Sequence, residues 1–332
     1  VGDGQDDGAF DLDTILRQTG VGTTSAEVRA LVAGVAAAPD NFDADAWMAL
    51  IHPDPPPLLR DALRSRLTAA RERLVSHAES VRGRLDLLRK ELKRRRLSGF
   101  VVPRADSHQG EYVAEASERL RWLTGFTGSA GTAVVLLDAA ALFIDGRYTQ
   151  QAKDEVNGDI FELRHVTNEP MAEWIASRLP ARGRLGYDPW LHTRKQVVAL
   201  ERACSRTGAR LVPVDTNPID RIWIGRPPLP IAPVTVHQQS EDAGRKSLDK
   251  RESVSATLTQ QGEDAAVLAQ PDAIAWLLNI RGSDVPYAPL LLAFAIIHRD
   301  ASVELFCDPR KLTLSVRQHL GEGVTISAEG AF

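Results

Sequence analysis

The chain contains one module written twice, and this repetition constrains its architecture more than any other feature. Around Trp122 it reads Leu120-Arg121-Trp122-Leu123-Thr124-Gly125-Phe126-Thr127-Gly128-Ser129, and around Trp276 it reads Ile274-Ala275-Trp276-Leu277-Leu278-Asn279-Ile280-Arg281-Gly282-Ser283. Trp, Gly and Ser recur at a common offset of 154 residues. Each copy follows a charged helical stretch and a short apolar strand, at 99–103 and 265–269. Each leads into a hydrophobic hairpin ending in Phe-x-Asp, at Phe143-Ile144-Asp145 and Phe306-Cys307-Asp308. Propeller and solenoid repeats are much shorter, so two sequential domains are expected, with Trp122 matched to Trp276 and Asp145 to Asp308. Both indoles should be largely buried, because rings of this size anchor cores.

Apolar runs at 99–102, 133–137, 142–144, 160–166, 185–187 and 211–214 read as strands, with helices near 149–155, 170–179 and 192–208. That alternation implies an α/β domain, a mixed sheet flanked by helices. Arg226-Pro227-Pro228-Leu229-Pro230-Ile231-Ala232-Pro233 is too rich in proline for a helix or a central strand and separates the copies. The second copy then runs through a helix at 241–261, a strand at 265–269, a helix at 272–278, strands at 292–298 and 303–307, a helix at 309–319 and a strand at 324–326. It extends only a short way past Asp308, whereas the first continues well past Asp145, so the second sheet is expected to lack its last elements. An unpaired, apolar sheet edge would result.

Upstream lies a different kind of sequence. Leu12, Ile15 and Leu16, then Val28, Leu31, Val32 and Val35, follow helical spacing, with Ser25 as the expected cap. A turn is expected at 40–45, Trp47 and Met48 as core, a break at Pro53-Asp54-Pro55-Pro56-Pro57, and another helix from Leu58. The organisation is therefore a disordered tail at 1–8, a small helical extension at 9–80, a first domain at 81–225, a proline-rich linker at 226–240 and a second domain at 241–332.

Charge and composition exclude several classes. A net charge of −4 offers no basic face for nucleic acid. The run Lys93-Arg94-Arg95-Arg96 closes an amphipathic helix carrying Leu85, Leu88 and Leu92, where solvated cations complement the helix dipole. No stretch approaches the ~20 apolar residues of a membrane span, and the acidic start has no signal-peptide pattern. The absence of an initiator Met points to a fragment boundary. Cys204 and Cys307 lie in apolar surroundings in different domains and read as buried free thiols of a reducing, cytoplasmic compartment.

Several motifs then occur in a fixed order: Val102-Pro103-Arg104-Ala105-Asp106-Ser107-His108-Gln109-Gly110-Glu111-Tyr112, Thr124 to Ala133, Asp145-Gly146-Arg147-Tyr148, Ile219-Asp220-Arg221-Ile222-Trp223, and Ile274 to Asp284. Over roughly 83–332 this pattern resembles the first two domains of the three-domain Xaa-Pro aminopeptidases. The resemblance implies two tandem creatinase N-terminal-like domains behind a helical appendage. It also implies release of an N-terminal residue that precedes proline, by a third domain in which two Asp, one His and two Glu hold two divalent metals, Mn or similar. After Asp284 the histidines are His298 and His319 and the acids are scattered, so no catalytic residue, metal ligand or cofactor is expected within this chain. The implied partners are the absent catalytic domain and peptides with proline in second place, with a homodimer left open. A stand-alone binding or scaffolding protein is the rival reading; a prolidase or creatinase relative carries only one copy of the module.

The candidate site is the polar loop after the first strand. Asp106, His108, Glu111 and Tyr112 gather where α/β sheets present binding groups. They read as substrate-proximal or interdomain residues, or else as local turn caps. An Asp106–His108 acid–base pair lacks an accompanying nucleophile. Arg147 is expected to pair an internal carboxylate, with a substrate role as the alternative. The glycines between Gly125 and Gly131 lack the Lys of a phosphate loop and read as a turn.

Overall fold

The computed structural model describes residues 12–36, 46–237 and 243–332, without the side chains of 72–79. The expected tail at 1–8 and turn at 40–45 lie outside the described residues. The chain divides into two compact units, meeting at Leu87 and Leu88.

The first unit is helical. Helices α1 (Leu12–Gln18), α2 (Ser25–Ala36) and α3 (Pro57–Glu79) and a short 3₁₀ turn (Ala46–Leu50) surround a core of Ile15, Val28, Leu59 and Leu63, with Trp47 and Met48 almost fully buried among them. The cap of α2 is Thr24, not Ser25. Thr24 Oγ1 accepts from Glu27 N while Glu27 Oε2 accepts from Thr24 N, so a reciprocal box one residue earlier satisfies the free amides.

The second unit holds both copies of the module. Helix α4 (Val81–Arg94), which begins in the first unit, leads into β1 (Gly99–Pro103), α5 (Arg119–Thr124), β2 (Thr132–Leu136), β3 (Ala140–Ile144), α6 (Thr149–Glu155), β4 (Glu162–His165), α7 (Met171–Arg178), β5 (Arg184–Tyr187), α8 (Arg194–Ser205), β6 (Arg210–Pro213) and α9 (Pro218–Ile222). The sheet order is β4-β3-β2-β1-β5-β6, mixed, with β1 paired antiparallel to β2 and parallel to β5. One face packs Val101, Val134, Leu136 and Phe143 against Trp174, Ile175, Leu200 and Cys204 of α7 and α8. Lys93, Arg94 and Arg96 end α4 as exposed charges, as expected, whereas the Arg95 side chain is only 15% exposed. Arg94 and Arg95 both turn back onto buried Glu91, and Arg95 also donates to the Thr216 carbonyl.

The second copy adds β7 (Thr235–Val236), α10 (Ser247–Gln261), β8 (Ala265–Leu268), α11 (Pro271–Leu278), β9 (Ile280–Arg281), β10 (Phe294–His298), β11 (Val303–Phe306), α12 (Leu314–Leu320) and β12 (Val324–Ser327). Its main sheet runs β12-β11-β10-β8. The pairings β8–β10 and β10–β11 are antiparallel and β11–β12 is parallel; in the first copy β1–β2 and β2–β3 are likewise antiparallel and β3–β4 parallel. The repeat is therefore one topology. The proline-rich stretch is held at both ends: Arg226 Nε donates to the Ala116 carbonyl, and Val234 is buried in the second core.

The repeated residues have physical reasons. Helices α5 and α11 both end on a left-handed residue three positions after the Trp, Gly125 at φ 84° and Asn279 at φ 51°. A Cβ on Gly128 would lie 2.2 Å from the Phe126 ring, and one on Gly282 would lie 2.6 Å from the Leu290 carbonyl oxygen. Asp145 and Asp308 each accept from the backbone amide two residues on. The tryptophans correct the expectation of burial. Trp122 is half-buried and stacks on Trp223 at 5.4 Å, whereas Trp276 is 49% exposed, with the Lys250 ammonium 4.8 Å from its ring centre and no aromatic partner among the described residues. The predicted helix at 309–319 is split by Thr313, which caps α12 after a 3₁₀ turn.

Candidate functional site at the seam of the two copies

Strand β1 delivers the chain into a loop fixed by Arg104. Its guanidinium donates to the carbonyls of Glu111 and Ser129 and pairs with Glu118 at 3.3 Å, so one buried cation ties three segments together. Asp106 then organises the turn: Oδ1 accepts from His108 N at 3.0 Å and Gly110 N at 3.1 Å, the local arrangement that suits Asp in turns. Its Oδ2 is buried without a hydrogen-bond partner among the described residues.

His108 is carried out of the first copy and onto the second. Its Nδ1 lies 3.0 Å from the Ala269 carbonyl, and because a carbonyl only accepts, this nitrogen carries the proton. The ring stacks on Phe294 with centroids 4.5 Å apart and planes 26° apart. Phe294 also stacks on Phe332 at 4.5 Å and meets Trp190 of the first copy at 5.8 Å. Tyr112, part-exposed, tilts against Tyr287, whose backbone is left-handed at φ 63° and whose side chain is 91% exposed.

The five sequence candidates are thus distributed unevenly. His108 and Tyr112 lie on the seam, Asp106 shapes the loop from inside, and the Glu111 side chain is exposed. Arg147 is held in its own turn by Asp145, with Nη2 to Oδ2 at 2.8 Å; this hydrogen bond holds the Asp145 carboxyl below the usual range. Asp308 and Arg310 repeat the arrangement, and Asp308 falls to about 2 under the Arg310 hydrogen bonds. Asp106 and His108 form no side-chain hydrogen bond: Asp106 Oδ1 accepts from backbone amides, and His108 Nδ1 is turned to the Ala269 carbonyl. Sequence reasoning missed Ala269, Tyr287, Phe294 and Trp190. A lone aromatic at the end of a hydrophobic strand carries no sign that it faces another domain.

Among the described residues no three His, Cys, Asp or Glu side chains come together as a metal centre requires, so the residues here do not fit a di-metal site. A groove of about 640 Å³ beside α4 is lined by Arg94, Arg95, Arg184, Asp215, Asn217 and Arg221. Arg94 and Arg95 are already compensated by Glu91. No described helix is long and apolar enough to cross a membrane. What this arrangement offers is a positioned surface: a rigid loop, an aromatic seam and exposed Glu111.

Comparison with known proteins agrees with the doubled topology. Models of the creatinase/prolidase N-terminal domain match residues 84–222 and, separately, 225–332. The chain belongs to the creatinase/prolidase family, through two N-terminal domains in tandem. It is 38% identical over 278 residues to a probable Xaa-Pro aminopeptidase P of Coccidioides posadasii, a match covering 82% of this chain and 42% of that protein. It is 36% identical over 227 residues to an aminopeptidase P1 of Lotus japonicus, covering 68% and 34%. An X-prolyl aminopeptidase of Caenorhabditis elegans, described as a cytosolic enzyme with a di-nuclear active site, superposes with a TM-score of 0.71 at 30% identity, over 76% of this chain and 43% of that one. The chain spans less than half the length of these relatives.

Proposed function

We propose that residues 81–332 are the N-terminal, non-catalytic part of a cytoplasmic Xaa-Pro aminopeptidase. The observation that carries this reading is the pair of creatinase/prolidase N-terminal domains in a chain that spans 42% of a probable Xaa-Pro aminopeptidase P. In the longer enzyme a further domain holds two divalent ions, Mn or similar, and releases the residue that precedes proline. The two domains described above limit access to that centre, and the loop bearing Asp106, His108, Glu111 and Tyr112, with Arg147 nearby in the same copy, borders the cleft.

Two measurements test this. Residues 1–332, dialysed and supplied with Mn²⁺, should leave an Arg-Pro-Pro peptide intact, and the polypeptide that continues past Phe332 should cleave it. Activity that copurifies with 1–332 and disappears with chelator would place the active site here instead. Glu111→Ala should leave the stability of 1–332 within about 0.5 kcal/mol, as for an exposed position, while lowering turnover or raising KM in the longer enzyme. Unchanged kinetics there would strip the loop of its role. A native stop codon after Phe332 favours a stand-alone binding protein.

A further inference from the structure

The stretch Arg226-Pro227-Pro228-Leu229-Pro230-Ile231-Ala232-Pro233 joins the two copies without belonging to a sheet of either. Its four prolines fix φ at their own positions, and Arg226, Pro227, Leu229 and Ala232, each followed by a proline, are pushed into extended backbone. Ile231 alone escapes both constraints. The ends are anchored as well: Arg226 Nε donates to the Ala116 carbonyl, and Val234 N donates to the Lys311 carbonyl at 2.8 Å. Covalent geometry and two anchors thus hold a polyproline-type segment extended.

Such a helix repeats every three residues, and the exposure follows that period. Pro227 and Pro230 are part-buried, whereas Pro228 and Ile231 are exposed, with exposed Leu229 beside them. Leu229 and Ile231 are each 55% exposed, although both are large and apolar. No residue from Pro227 to Pro233 makes a hydrogen bond among the described residues, so this backbone presents a row of free carbonyl acceptors next to apolar side chains.

We propose that residues 227–233 are a docking site for a partner domain with an aromatic-lined groove of the kind that reads polyproline helices. The rings of the groove pack on Pro228, Leu229 and Ile231, and its Trp or Tyr groups donate to the free carbonyls. The partner is of the WW type, which asks no charge of its ligand, rather than the SH3 type, which pairs a flanking Arg with an acidic pocket. Arg226 is committed elsewhere: it pairs with Asp220 Oδ2 at 2.8 Å, lies over the Trp223 ring and is only 25% exposed. No Lys, Arg, Asp or Glu occurs between Arg226 and His237. Because the segment is extended before it binds, docking loses little backbone entropy. The assignment is independent of the peptidase reading.

The probe is a recombinant, isotope-labelled WW domain that reads Pro-Pro-Leu-Pro, titrated with residues 1–332. The indole and amide signals of its groove should shift saturably. The double variant Leu229→Ala, Ile231→Ala should weaken the affinity at least about tenfold while keeping the urea midpoint, since both side chains are exposed. Pro228→Ala should weaken it too. Leu314→Ala, at a leucine 73% exposed on α12, should leave the affinity unchanged. Binding should persist in the polypeptide that continues past Phe332. Four outcomes would each overturn the proposal: a WW domain that does not shift at the highest soluble concentration, equal affinity of the double variant, tighter binding by an SH3 domain with an acidic pocket, or loss of binding in the longer polypeptide.

Discussion

Asp284 Oδ2 lies 2.7 Å from Lys311 Nζ, with the two side chains 1% and 6% exposed, and the same oxygen accepts from Leu292 N at 2.7 Å. The pair ties the loop after the left-handed cap of α11 to the turn after Asp308. In the first copy the corresponding tie is neutral: Ser129 Oγ and Tyr148 OH are 2.6 Å apart. One structural problem is solved with a hydroxyl bond in one copy and a buried ion pair in the other.

The two solutions should respond differently to mutation. Lys311→Met leaves a buried carboxylate without its cation and should cost about 3–5 kcal/mol in urea unfolding. Adding Asp284→Leu should recover most of that loss. Tyr148→Phe should cost only about 1 kcal/mol. A Lys311→Met loss as small as the Tyr148→Phe loss would mean that the pair is hydrated in solution.

The aromatic contrast predicts an asymmetry of stability. Trp122→Ala removes a ring stacked on Trp223 and should cost about 3 kcal/mol. Trp276→Ala, at a half-exposed position, should cost roughly half as much in residues 1–332. Equal losses by thermal melts would show that the Lys250 contact compensates for the missing aromatic cover.

Cys204 and Cys307 are buried, and burial pushes both thiols up to about 11. Neither should react with a disulfide reagent at pH 8 in the folded chain, because the thiolate is the reactive species. Both should react at once in denaturant. Rapid labelling of the native protein would show that one of the two cores opens readily.

Glu91 supplies an acid-sensitive term. Burial alone would raise its carboxyl, but hydrogen bonds from Arg94 and Arg95 outweigh it and leave the group lowered from 4.5. Since the folded value lies below the unfolded one, the unfolded chain binds more protons in the window between them, and stability falls as pH falls. The contribution is fully present above 4.5 and is lost as pH drops through the folded value. Glu91→Gln should flatten this part of the pH–stability curve, read as urea midpoints from pH 6 downward. A curve that keeps its full slope would assign the acid sensitivity to other carboxylates.

The sequence by itself determined the repeat, the α/β class and the place of the polar loop, because these depend on local chemistry. A left-handed helix end selects Gly or Asn at residues 125 and 279, a close approach selects Gly128 and Gly282, and alternating apolar runs with turn residues mark strands. Buried Trp47 and Met48 were legible for the same reason. Only the tertiary structure decided what each surface meets. Nothing near His108 in the chain announces Phe294, and nothing near Trp276 shows that it stays half-exposed while Trp122 is stacked, because such stacking depends on residues about 100 or more positions away. Helix caps shifted by one residue for a smaller version of that reason: Thr24 and Ser25 are both competent, and the geometry of Glu27 selects Thr24.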